Sequence, residues 1–86
     1  MSNLGTNPVL TFASAMQDEL NLNSHKGTWR RSSRYCSVKA FLERLHEEVE
    51  EIETAVKAKL PAAKILSECA DVGNFAMMIA DNYKST

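Results

Sequence analysis

Glu48 and Glu51 stand three residues apart in one acidic stretch, and Glu68 and Asp71 stand three apart in another. On a helix surface, residues at that spacing are neighbours. Two such pairs brought face to face would repel, because like charges sharing a site raise one another's pKa. A divalent cation resolves the conflict. Hard ions such as Mg²⁺ take oxygen ligands and are held by a few carboxylates together with substrate phosphates. These residue types therefore point to a metal site with Glu48, Glu51, Glu68 and Asp71 as ligands. One of the four could instead position or deprotonate a water.

Such a site needs two helices to carry it, and the chain has three helical segments. Asn7 suits an N-cap and Pro8 the first helical position. Leu10, Ala13, Met16 (or Gln17) and Leu20 then form one apolar face, which fades near Asn21–Asn23. A polar loop over residues 24–36 follows, long enough to be functional or disordered. The second helix starts near Ser37. Its stripe runs through Val38, Phe41, Leu42, Leu45, Val49, Ile52 and Val56 and stops at Lys59–Leu60, before Pro61. The third helix opens at Pro61 and runs to about Asn82. No strand pattern is visible. The expected fold is all-α: an antiparallel helical hairpin plus an N-terminal helix.

A 100° step per residue places the acidic groups. With Leu45, Val49 and Ile52 at the centre of the second stripe, Glu48 lies about 60° to one side and Glu51 about 120°. Glu43, Glu50 and Glu53 lie on the opposite side or the back, and Glu47 is near the back. On the third helix, Glu68 lies about 40° from Val72 and Asp71 about 100° on the same side. Folding the chain at Leu60–Pro61 brings the two acidic pairs to levels that differ by about 3 Å. The third helix is apolar over most of its circumference, which calls for burial on more than one side. A partner subunit is the expected cover, completing a helical bundle by oligomerisation.

The bulk properties bound the function. A net charge of −1 and a length of 86 residues fit a single small domain over 1–86 and give no argument for a nucleic-acid polymer or an anionic membrane as partner. Residues 1–7 are expected to be a flexible N-terminus. Cys36 and Cys69 form no metal-ligand spacing and fit free thiols in a reducing compartment. No signal peptide or membrane-length apolar run is present, so a cytoplasmic protein is expected.

The stretches "HEEVEEI" (His46–Ile52) and "SECADVGNF" (Ser67–Phe75) together resemble the EExxE…ExxD signature of the MazG-like all-α nucleoside triphosphate pyrophosphohydrolases. Glu47, Glu48 and Glu51 match the first half; Glu68 and Asp71 match the second. The resemblance covers about His25 to Asn82 and implies hydrolysis of a nucleoside triphosphate, usually a deoxynucleotide, to the monophosphate and pyrophosphate. It also implies Mg²⁺ (with Mn²⁺ as a substitute) and a homodimer or a tetramer built from dimers. By the same resemblance, His25 and Trp29 line a base pocket, where Trp29 could stack on the base. Lys26 and Arg30 could contact phosphate, and Asn74 could face a partner subunit's substrate or pair across an interface. Many members have a further helix after the second motif that has no counterpart before Thr86, so a pocket completed by a second subunit is expected. The competing reading is a non-enzymatic module that dimerises through its third helix, with the acidic pairs salt-bridged to Arg44 and Lys64.

Overall fold

The computed structural model describes residues 7–22 and 38–85. They form three helices, α1 (Pro8–Leu22), α2 (Val38–Lys57) and α3 (Ala62–Ser85). The fold class is all-α, as expected. The expected loop over 24–36 and the Ser37 cap lie outside the described residues. No helix among the described residues is long and apolar enough to cross a membrane.

Local chemistry sets the helix ends. The Asn7 side-chain oxygen accepts from the backbone N–H groups of Val9 (3.0 Å) and Leu10 (3.2 Å). Two amides that would otherwise lack a partner at the start of α1 are thereby satisfied. At the other end of the hairpin, Leu60 N–H donates to the Ala55 carbonyl and Lys59 N–H to the Val56 carbonyl, both at 3.1 Å. These two bonds define a Schellman cap. Lys59 occupies its left-handed position, with φ of 56°, where glycine is the usual residue. The Pro61 carbonyl then accepts from Lys64 (2.9 Å) and Ile65 (3.1 Å). Pro61 therefore caps α3 from outside, and the helix proper begins one residue later than expected.

The helices stack with α3 in the middle. α2 packs on one side of α3 and α1 on the other, and α1 and α2 do not pack against each other. Both α1 and α2 therefore cover part of the apolar circumference of α3 within one chain, while Leu66 and Tyr83 stay exposed. Gly73 makes the approach of α1 possible. A Cβ built there would lie 2.8 Å from the Phe12 ring and 3.2 Å from Met16 Sδ, so a larger residue would collide with α1. Next to it, Asn74 is buried and its side-chain amide donates to the Met16 carbonyl at 3.0 Å.

The α2–α3 face differs from the stripe read from sequence. The buried residues of α2 are Phe41, Glu48 and Ala55, seven residues apart. Val49, expected near the centre of the buried stripe, is 43% exposed. The reason lies on α3. Phe41 packs on Phe75 with ring centroids 6.2 Å apart. Ala55 on α2 is almost fully buried, and its small side chain lets α2 come close to α3. The stripe is wider than one neighbouring helix can cover, and α3 covers only the edge that carries Glu48.

Candidate metal centre

Glu48 projects from that buried edge of α2, with only 4% of its surface exposed. Its Oε2 atom accepts from Arg44 Nη2 at 3.4 Å. Its Oε1 atom is buried and has no hydrogen-bond partner among the described residues. Burying a carboxylate oxygen without a partner is costly. Arg44 does little to relieve it. The guanidinium is half-exposed, lies over the Phe75 ring at 5.4 Å, and makes its shorter contact, 2.6 Å, with Glu47.

From α3, Glu68 and Asp71 complete a cluster with Glu48. One carboxylate oxygen from each lies within 4.8 Å of the others. The matched heights of the two helical segments across the hairpin are thus realised for these three. Oxygens around one Mg²⁺ stand roughly 3–4 Å apart, given bonds of about 2.1 Å. The cluster would need to contract only by small side-chain rotations to hold such an ion. Lys64 Nζ contacts Glu68 Oε2 at 3.3 Å from the half-exposed side.

Glu51 stands outside this cluster. It is exposed on an open groove of about 500 Å³, with Glu47, Glu50, Thr54 and Leu60, and Glu68 borders both the groove and the cluster. Its charge still acts on Glu48. Burial pushes the Glu48 carboxyl above its ordinary range, and Glu51 adds to that rise; Arg44 opposes it, and Glu68 and Glu47 contribute further. The Asp71 carboxyl is pushed up to about 6, first by burial, then by the charges of Glu19, Glu48 and Glu68, and finally by a hydrogen bond with Glu19.

Glu19 is the participant that sequence reasoning missed. It comes from α1, and its Oε2 accepts from Ser67 Oγ on α3 at 2.8 Å. A signal for it existed. Glu19 follows Met16 by three residues and so borders the apolar face of α1, just as Glu48 borders that of α2. Asn74 requires the opposite correction. Expected at a partner's substrate or an interface, it is buried between α3 and α1 with its amide on the Met16 carbonyl. Its side-chain oxygen is likewise buried without a partner among the described residues. The proposed substrate contacts His25, Lys26, Trp29 and Arg30 lie outside the described residues, as does Cys36; Cys69 is half-buried on α3.

Comparison with known proteins returned no match to a family model, a curated protein or a solved structure.

Proposed function

We propose that this chain is a Mg²⁺-dependent nucleoside triphosphate pyrophosphohydrolase, acting on deoxynucleotides to give the monophosphate and pyrophosphate. The observation that carries the metal is the buried, unpartnered Oε1 of Glu48 beside Glu68 and Asp71. The reaction comes from the resemblance of the two acidic motifs. Glu48, Glu68 and Asp71 would hold the ion, with Glu51 at the mouth of the site on the groove side. When bound, Mg²⁺ (or Mn²⁺ in its place) neutralises phosphate charge and acidifies water at the site.

The chain's own groups supply the rest. Asp71 is held in place as a ligand by contacts from its own chain. Glu19 orients it from α1, and Ser67 orients Glu19. His25, Lys26, Trp29 and Arg30 are the substrate contacts in this reading.

Two contacts favour the non-enzymatic module instead: Arg44 with Glu48 and Lys64 with Glu68, at 3.4 and 3.3 Å. Both cations are more than half exposed, and each contact uses Oε2 alone. Exposed i,i+4 pairs contribute little, and Glu48 Oε1 stays without a partner among the described residues. The metal reading accounts for that atom; the salt-bridge reading does not.

Incubation with Mg²⁺ and a panel of deoxynucleoside triphosphates, with pyrophosphate measured, tests the proposal. Release that is lost in Glu48→Gln and Asp71→Asn variants of unchanged helicity is the expected result. No release from any nucleotide, together with no Mg²⁺-dependent change in Tm, would overturn it.

A further inference from the structure

α1 is the least firmly held of the three helices. None of its residues is buried, Val9, Leu10 and Leu22 are exposed, and among the described residues it packs against α3 alone. A free helix of about 15 residues is marginal in water, so α1 depends on its docking. Phe12 and Met16 lie over Gly73, and the Met16 carbonyl accepts from the Asn74 amide at 3.0 Å. One turn further on, half-buried Glu19 accepts from Ser67 Oγ at 2.8 Å and stands in hydrogen-bond contact with Asp71.

Glu19 thereby brings a carboxylate from a third helix to the edge of the cluster formed by Glu48, Glu68 and Asp71. The buried Oε1 of Glu48, without a partner among the described residues, points that cluster at a cation. We propose that Glu19 couples ion binding to the docking of α1. A divalent cation held by Glu48, Glu68 and Asp71 fastens α1 onto the hairpin, and removal of the ion loosens it. The inference rests on the metal centre proposed above and adds to it a helix whose docking the ion controls.

The direction follows from charge. Without the ion, Glu19 faces carboxylates of its own sign, and like charges in contact repel. α1 has few apolar contacts to set against that repulsion. A divalent ion cancels two of the three ligand charges and attracts Glu19 from behind Asp71. The Ser67 hydroxyl anchors the Glu19 carboxylate, so the attraction is felt by the helix and not by a swinging side chain. Glu19 lies outside the set of oxygens within 4.8 Å of one another and acts through Asp71, as a positioning residue. Partners behind a metal ligand typically change metal affinity by about 10–100-fold. By linkage, the factor by which the ion strengthens docking is the factor by which docking strengthens ion binding.

Amide hydrogen exchange of the full chain at pH 8, with Mg²⁺ or with a chelator, tests the coupling. Mg²⁺ should slow exchange across α1 by about fivefold or more. In Glu19→Gln the side chain can still accept from Ser67 and can donate to Asp71, but carries no charge. Its α1 should be protected equally with and without Mg²⁺. In Glu19→Ala, α1 should exchange faster than in Glu19→Gln, again with no response to Mg²⁺. A Glu19 that served packing alone would lower protection in Glu19→Ala yet leave α1 of the unaltered chain indifferent to the ion. Mg²⁺ that raises Tm while α1 exchange stays unchanged would overturn the coupling and leave the metal centre standing. A Glu19→Gln variant whose α1 still responds to Mg²⁺ would do the same. Mg²⁺ that changes neither Tm nor exchange would overturn the metal centre and the coupling together.

Discussion

Asp71 on α3 and Glu19 on α1 are hydrogen-bonded carboxyl groups. Such a bond needs a proton on one of the two, so below about pH 6 the metal-free protein holds a proton in the middle of its acidic cluster.

Metal-free stability should therefore fall as pH rises from 5 to 7. The folded carboxyl of Asp71 titrates at about 6, above its ordinary 3.8. Protonation thus favours the folded state, and the contribution is lost as pH rises through about 6. Allowing for solvent screening of a partly exposed group, the effect is on the order of 1 kcal/mol, or about 4–8 °C in Tm. Asp71→Asn should flatten most of this slope, with a smaller residue from Glu48. Thermal unfolding across that range in the presence of a chelator measures both.

Mg²⁺ and protons compete for the same oxygens, so the apparent Mg²⁺ affinity should drop as pH falls below about 6, by up to tenfold per pH unit. Titration calorimetry at three pH values reads this directly. An affinity independent of pH would place the ion elsewhere.

Glu48→Gln separates stability from metal binding. The amide removes a buried charge that Arg44 barely compensates, so metal-free Tm should stay level or rise by a few degrees. The Mg²⁺-dependent gain in Tm should vanish. A variant that unfolds more easily without metal would mean that the carboxylate stabilises the hairpin itself.

Gly73→Ala should destabilise the protein by about 1 kcal/mol. Alanine gains up to about 1 kcal/mol of helix propensity, but overpacking against the Phe12 ring costs about 1–3 kcal/mol. Phe12→Leu in the same chain should recover part of the loss, and a double-mutant cycle in denaturant unfolding would show the coupling.

Lys59→Gly acts at the hairpin turn. Relief of the left-handed conformation should outweigh the entropy that glycine adds to the unfolded chain, for a net gain of about 0.5–1 kcal/mol. A β-branched residue there should lower the denaturation midpoint.

The parts of this structure legible in sequence are those governed by local rules. Asn7–Pro8 announces the start of α1 through a cap that spans three residues. Pro61 marks the hairpin, and the constant rise of a helix then brings Glu48 level with Glu68 and Asp71. The rotation of α2 was not legible. Its apolar stripe has two edges, and the choice between them is made by Phe75 on another helix. Glu19 was missed and Asn74 misplaced for the same reason: spacing sets each at the border of a helix face, but what lies opposite is decided by the docking of α1.

The two outer helices share no contact and meet only through α3. Energetically they are neighbours of α3 and strangers to each other. Substitutions on the outer face of α1 and on the outer face of α2 should add without coupling, whereas either should couple to changes at Gly73, Asn74 or Asp71. Natural variation could therefore remodel α1 without disturbing the open edge of α2, provided that α3 keeps both of its faces. Partial opening should likewise begin with release of α1, freeing Glu19 from Asp71 while the hairpin and Glu48 remain in place.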